Sequence, residues 1–163
     1  MEESRQPRWL DDEERQAWLT LGSLLVQLGP ALDAQLRRDA GITHFEYTVM
    51  SVLSEAADRT RRMSELAALA DGSLSRLSQV VSRLEKKGWV RRSPDPADGR
   101  YTLATLTEKG WDKVVEAAPG HVDEVRRAVF DPLTRTQVRQ LTTIGQRILR
   151  VIVPDDKRLD RQA

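Results

Sequence analysis

The sequence predicts a mainly α-helical (α+β) fold that contains a helix-turn-helix followed by a two-stranded β-hairpin. Apolar residues recur every three or four positions over much of the 163 residues, which is the spacing of amphipathic helices. The turn signal Asp71-Gly72 separates two of these helical segments. A loop with two prolines and an Asp-Gly pair, residues 93–100, separates two segments of strand-like composition. The predicted order is therefore helix, turn, helix and hairpin, with further helices on both sides.

A long first helix is predicted before Gly41, a residue type that commonly ends helices. Four acidic residues, 11–14, lie at its start, where the helix dipole favours negative charge. We expect Gly29-Pro30 to bend or interrupt this helix, because proline removes a backbone donor and clashes with the preceding turn. One stripe of apolar residues runs along this helix: Trp18, Leu21, Leu25, Leu28, Leu32 and Leu36.

A second helix is predicted to begin at Thr43. Thr43 and Glu46 have the spacing of a capping box, in which each side chain binds the other residue's backbone N–H group. The polar stretch Asp58–Arg62 is expected to end this helix. A short helix from about Ser64 to Ala70 follows, because this segment is rich in good helix formers.

Ser73 is predicted to cap a further helix that runs to about Lys87 and ends at Gly88. Together with the short helix before Asp71-Gly72, it makes the helix-turn-helix pattern. Its predicted core residues are Leu77, Val80, Val81 and Leu84. Its opposite face is polar and basic.

The hairpin consists of Trp89–Arg92 and Tyr101–Leu106, with Arg100 at its tip. A helix is predicted to begin at Thr107-Glu108, and Pro119-Gly120 is expected to break or kink it. A second capping box, Thr134 with Gln137, begins the last helix.

Composition argues against several classes of function. The chain has no cysteine, which excludes disulfides, thiolate nucleophiles and thiol-based redox sensing. Its two histidines, His44 and His121, are far apart in sequence, and no glycine-rich phosphate loop is present. We therefore expect no enzyme activity, no metal site and no cofactor. A charged N-terminus without an apolar run predicts a cytoplasmic protein that does not enter membranes.

Charge is concentrated in the middle of the chain. Residues 59–100 hold ten basic and five acidic residues, although the whole chain has a net charge of only +1. A basic middle is typical of a surface that binds a polyanion, and it is equally compatible with a solvated helix face. Ser, Arg and Gln side chains on the outer face of a helix suit the major groove, and an arginine-tipped hairpin suits the minor groove. The succession of these elements within about 40 residues favours binding to double-stranded DNA.

Three segments then carry a resemblance to a known family. They are Leu84–Arg92 (LEKKGWVRR), Asp95–Arg100 (DPADGR) and Leu106–Gly110 (LTEKG). With their spacing they resemble the recognition-helix end, wing and wing exit of MarR-type (multiple antibiotic resistance regulator) winged helix-turn-helix transcription factors. The sequence departs from the family pattern at Gly72, where an aliphatic residue is more common, and at Trp89, which replaces an aliphatic residue at the hairpin base.

The resemblance implies a homodimer that binds a palindromic operator and acts as a repressor released by a small-molecule effector. Residues 9–42 and 107–153 would then form the dimerisation helices, and 43–106 the DNA-binding region. Residues 1–8 and 154–163 are expected to be disordered. A winged-helix module that docks protein or organises chromosomes, without a regulated operator, is the alternative.

The candidate DNA contacts lie on the outer helix face and on the wing. They are Ser73, Ser75, Arg76, Ser78, Gln79, Arg83, Arg91, Arg92, Asp98 and Arg100. Ser73 is equally a helix cap, and every arginine on this list other than Arg100 could instead be a solvated charge. Asp98 would act indirectly, by positioning the wing through turn hydrogen bonds or by pairing with an arginine. The resemblance also implies a cleft for an anionic or aromatic effector. Five residues are candidates to line it, although residues of these types are more often core or solvated residues: Trp18, Leu25, His44, Tyr47 and Met50.

Overall fold

The computed structural model of the chain describes residues 7–153, which contain six α-helices and three β-strands. In chain order these are α1 (Asp12–Ala40), α2 (His44–Ser54), β1 (Thr60–Arg62), α3 (Met63–Leu69), α4 (Leu74–Lys86), β2 (Val90–Pro94), β3 (Thr102–Leu106), α5 (Glu108–Val125) and α6 (Arg135–Ile152). The mainly helical α+β class is thus confirmed. The described residues form two compact units, 7–121 and 122–153.

Helix α1 begins with a capping box between Asp11 and Glu14 and ends at Gly41, which has a left-handed φ of 66°. The expected interruption at Gly29-Pro30 is wrong, because α1 continues through Pro30. A proline inside a helix leaves the carbonyl four residues earlier without its usual donor. Here that residue is Val26, and both Val26 and Pro30 are exposed, so water can satisfy the carbonyl.

Helix α2 begins at the predicted capping box. The Thr43 backbone N–H donates to Glu46 Oε2 at 2.9 Å, and the Glu46 N–H donates to Thr43 Oγ1 at 3.0 Å. The next backbone N–H, that of His44, donates to Asp33 Oδ1 on α1 at 2.8 Å. This long-range hydrogen bond fixes the start of α2 against α1.

The expected two-stranded hairpin is corrected to a three-stranded antiparallel sheet in the order β1-β3-β2. The added strand β1 lies in the polar stretch that was expected only to end α2. It pairs Thr60 with Thr105 and Arg62 with Leu103, and the Thr60 and Thr105 hydroxyl oxygens are 2.9 Å apart. Because β1 has only three residues, the sequence shows no alternating pattern there. The strand conformation comes with the pairing to β3.

The core of the first unit lies between α1–α5 and the sheet. The predicted core face of α4 is confirmed, since Leu77, Val80, Val81 and Leu84 are all buried. The largest side chains with almost no exposed surface are Leu36, Ile42, Met50, Leu53, Leu66, Leu77 and Leu84. The base of the sheet and the helix-turn-helix therefore share one core.

The expected break at Pro119-Gly120 is also wrong, because α5 continues through both residues. Pro119 and Val115, whose carbonyl loses its donor, are exposed. One π-helical turn, Arg126–Phe130, follows α5, and the predicted Thr134–Gln137 capping box begins α6.

No helix in residues 7–153 combines the length and apolar character that crossing a bilayer requires. The tail predicted to be disordered, 154–163, and the first six residues lie outside the described part of the chain.

Candidate nucleic-acid interface

The turn between α3 and α4 presents the start of α4 to solvent. Asp71 takes a left-handed φ of 51°, a conformation that Asp tolerates better than most residues. The Gly72 N–H donates to the Ala67 carbonyl at 3.0 Å. Ser73 then caps α4 as predicted, with its hydroxyl accepting the Arg76 N–H at 3.2 Å. The turn is therefore bonded to α3 through Gly72 and to the first turn of α4 through Ser73.

The outward face of α4 is the polar face that the sequence predicts. Ser73, Ser75, Arg76 and Gln79 are exposed, and Ser78 is half-buried. The first turn contains no acidic residue but does contain Arg76, against the usual preference of a helix dipole. This placement does little for the stability of α4 and suits an approaching anion.

Two basic residues near the end of α4 share a buried carboxylate. Arg83 Nε lies 3.4 Å from Glu46 Oε1, and Lys87 Nζ lies 3.8 Å from Glu46 Oε2. Only 5% of the Glu46 side chain is exposed, whereas 53% of the Arg83 side chain is. Glu46 therefore joins α2 to α4 and leaves part of Arg83 accessible at the surface.

The wing is held by a carboxylate that the sequence did not single out. Asp95 is buried, accepts the Ala97 N–H at 2.9 Å and accepts Nε of Arg62 from β1 at 2.8 Å. The Ala97 N–H and then the Arg62 guanidinium hold the pKa of Asp95 below its ordinary value. The Arg62 guanidinium also lies 4.5 Å from the centroid of the Tyr101 ring. Strand β1 thus fixes the start of the wing loop.

Arg100 lies at the tip of the wing with 83% of its side chain exposed. Its Nε donates to Asp98 Oδ1 at 2.9 Å, and its backbone N–H donates to the same oxygen at 3.1 Å. The Arg100 guanidinium holds the pKa of Asp98 below its ordinary value. The Asp98 carbonyl also accepts the Tyr101 N–H at 3.0 Å. Asp98 therefore both pairs with the Arg100 guanidinium and forms hydrogen bonds within the wing turn.

The two arginines of β2 differ in their surroundings. Arg91 is exposed. Arg92 donates from Nε to Glu85 Oε2 at 2.8 Å and from a terminal nitrogen to the Ser82 hydroxyl at 3.1 Å. The Arg92 guanidinium also lowers the pKa of Glu85. Arg91 is therefore the more available of the two for a phosphate.

The five candidate effector residues do not form one cluster. Trp18 and Leu25 are exposed on α1, and Met50 is fully buried in the core. Trp18 lies 15 residues before Asp33, the α1 residue that contacts His44, which is about 22 Å along the helix. His44 and Tyr47 lie together beside His121, whose ring centroid is 5.6 Å from that of His44 and 4.6 Å from that of Tyr47.

The two histidines of this cluster of His44, Tyr47 and His121 should make the protein less stable in mild acid. Burial lowers the pKa of both His44 and His121, and Asp33 partly opposes the effect at His44. Between these lowered values and about 6.5, the unfolded chain binds more protons than the folded one. The free energy of unfolding should therefore decrease as the pH falls from 7.5 to 5. Denaturant titrations of the wild type and of the His44→Gln/His121→Gln variant check this, and equal slopes against pH would contradict it.

Comparisons with known proteins agree with this geometry. A sequence profile of the MarR family matches residues 40–100. YdcH of Bacillus subtilis, an uncharacterized HTH-type transcriptional regulator, is 34% identical over 115 residues, which cover 69% of this chain and 74% of YdcH. The HTH-type transcriptional repressor IacR of Pseudomonas putida is 30% identical over 95 residues, which cover 58% of this chain and 55% of IacR.

The fold is similar to that of a solved relative. Sco3205, a MarR family transcriptional regulator from Streptomyces coelicolor whose crystal structure is in complex with DNA, superposes with a TM-score of 0.87 and 44% identity. The alignment covers 92% of this chain and 94% of Sco3205. The winged helix-turn-helix expected from the sequence is confirmed. This chain belongs to the MarR family of transcriptional regulators.

Proposed function

We propose that the protein is a homodimeric, cytoplasmic repressor that binds a palindromic DNA operator and releases it when a small effector binds. The exposed polar face of α4, beside a wing with an exposed arginine at its tip, carries this proposal. The relative Sco3205 was crystallised in complex with DNA, and IacR is named a repressor.

The side chains on α4 have the chemistry of base readout. Arg76 has the donors for guanine O6 and N7, and Gln79 has the donor and acceptor for adenine. Ser75 and Ser78 are small enough to let the helix approach the major groove closely, and Arg91 is available for a phosphate. Arg83 and Arg92 would contribute through the part of each side chain that their carboxylate partners leave accessible.

Exposed apolar side chains support dimerisation. On α1, Trp18, Leu24 and Leu25 each expose more than half of their surface, and α6 has no buried residue at all. On α6 the exposed apolar side chains include Leu141, Ile144, Ile148 and Leu149. Apolar surface on this scale marks an interaction site, and a second copy of the chain would cover it. The segments 9–42 and 107–153 would then provide the dimer interface.

A cleft of about 780 Å³ beside α4 is a candidate effector site. Its lining includes His44 and Phe45 of α2, Arg37 of α1, and Arg76 and Arg83 of α4. An anionic or aromatic molecule in this cleft would contact side chains that we assign to DNA, so its binding would compete with the operator.

Selection of bound duplexes from random DNA tests the proposed function. We expect enrichment of a palindrome, because a dimer with twofold symmetry places its two α4 helices on equivalent half-sites. The logarithm of the affinity should fall with the logarithm of salt concentration, with a slope of about −0.9 per phosphate neutralised. Enrichment of a single half-site would contradict the dimer. Binding without any enriched sequence would favour the architectural alternative.

A further inference from the structure

Phe45, the second residue of α2, lies between the helix-turn-helix turn and an α4 arginine. The Arg76 guanidinium carbon is 4.1 Å from the centroid of the Phe45 ring. The tip of the same ring approaches Gly72 so closely that a Cβ atom there would be 2.6 Å from Phe45 Cζ. The Phe45 ring therefore meets Gly72 at its tip and carries the Arg76 guanidinium over its face, and we call these three residues the Phe45 stack.

A side chain at position 72 would meet the tip of the Phe45 ring. The left-handed residue of the turn is Asp71, and Gly72 has no positive φ that would itself require glycine. The Gly72 backbone N–H contributes an ordinary hydrogen bond to the Ala67 carbonyl. The missing side chain serves to admit the aromatic ring, and the ring in turn supports the guanidinium.

We propose that Phe45 is a positioning residue for DNA readout, which holds the Arg76 guanidinium in the orientation in which it meets a base. This inference rests on the proposed function of α4. A free, exposed arginine samples many rotamers, and ordering it on binding costs free energy. Stacking uses the face of the guanidinium plane, so the N–H donors at its edge remain available for a base or phosphate. Phe45 thus prepares the arginine before DNA arrives.

The stack itself has a spectroscopic signature in the free protein. The ring current of Phe45 should shift the NMR signals of the Arg76 side chain upfield, and Phe45→Leu should abolish that shift. Gly72→Ala reaches the ring from the other side, since the added methyl group must displace the ring tip, and it should alter the same signals. Unchanged Arg76 signals in both variants would overturn the proposal.

DNA binding tests the consequence, using the duplex enriched by selection. Arg76→Ala should lower the affinity about ten-fold or more and relax the preference at one base pair. Phe45→Leu should lower the affinity about two- to five-fold and relax the preference at the same base pair. In the Phe45→Leu/Arg76→Ala double variant, the affinity should equal that of Arg76→Ala, because the two residues act as one unit.

A matched control separates this role from general packing. Trp111→Leu also removes a half-buried aromatic ring, which lies 4.4 Å from the Arg59 guanidinium carbon, but it leaves α4 untouched. The Trp111→Leu variant should have the same base preference as the wild type. If Phe45→Leu does not fold, Gly72→Ala replaces it in the double-variant comparison. The affinity of Gly72→Ala/Arg76→Ala should then equal that of Arg76→Ala.

The outcomes distinguish the role of Arg76 in DNA binding from the role of Phe45 in positioning it. If Arg76→Ala binds as tightly as the wild type, the proposed role of this α4 residue is wrong. If Arg76→Ala binds weakly while the effects of Phe45→Leu and Arg76→Ala simply add, the role of α4 stands and the positioning role of Phe45 is wrong.

Discussion

Gly110→Ala is expected to lower the free energy of unfolding by about 3 kcal/mol, the upper end of the usual cost of overpacking. Gly110 lies in the first turn of α5 and is buried. A Cβ atom there would overlap the Trp89 carbonyl oxygen and would lie 2.7 Å from Leu106 Cδ1. A carbonyl oxygen cannot rotate away as the end of a side chain can, so α5 would have to move off the hairpin.

The surrounding hydrogen bonds resist that movement. The Thr107 hydroxyl donates to the Gly88 carbonyl at 2.7 Å, and the Thr107 backbone N–H donates to the Trp89 carbonyl at 3.0 Å. The Gly110 N–H donates in turn to the Thr107 hydroxyl at 3.1 Å. The start of α5 is thereby attached to the base of the wing through Thr107, to which the Gly110 N–H is itself bonded.

Denaturant unfolding at one fixed protein concentration measures this loss, because association with a second chain would itself shift the transition. Gly99→Ala is the matched control, since nothing lies within 4 Å of the position of its Cβ atom. We expect it to change the free energy of unfolding by no more than about 0.5 kcal/mol. Equal transition midpoints for the two alanine variants would show that close packing at Gly110 is dispensable.

The sequence predicts those parts of the fold that depend on near neighbours. The capping boxes at Thr43 and Thr134 and the cap at Ser73 each involve residues three apart, so their spacing is visible in the sequence. The sequence does not show whether Pro30 and Pro119 interrupt their helices, because the cost of a proline depends on whether the freed carbonyl reaches water, which is a property of the folded surface. Strand β1 escapes prediction because its partner lies more than 40 residues away.

The same distinction applies to the candidate site. Helical periodicity predicts which side chains of α4 point outward, and the structure places them there. It cannot predict the partners that orient them, since Glu46 contacts Arg83 and Arg62 contacts Asp95 across more than 30 residues. The only sequence feature that hints at the role of Phe45 is Gly72. An aliphatic residue is more common there in the family, which indicates that the turn differs locally but does not show that an aromatic ring is the cause.

Arg100→Ala is expected to weaken binding to the selected duplex by about 1–3 kcal/mol, or roughly 5- to 150-fold. The Arg100 side chain is almost fully exposed at the wing tip, and Asp98 fixes its direction through both the backbone and the guanidinium. An arginine held outward in this way suits a narrow minor groove, where the negative potential of DNA is concentrated. Its removal takes away a charge together with the guanidinium N–H donors that the ion pair with Asp98 does not use.

Fluorescence anisotropy over several salt concentrations separates these two contributions. Arg100→Lys keeps the charge but lacks the planar fork, so its affinity should lie between those of the wild type and Arg100→Ala. Arg127→Ala removes an exposed arginine with an equally local partner, Glu124, and should bind like the wild type. Exposed ion pairs contribute little to stability, so Arg100→Ala should unfold like the wild type. If it also binds as tightly at every salt concentration, the wing tip does not contact DNA.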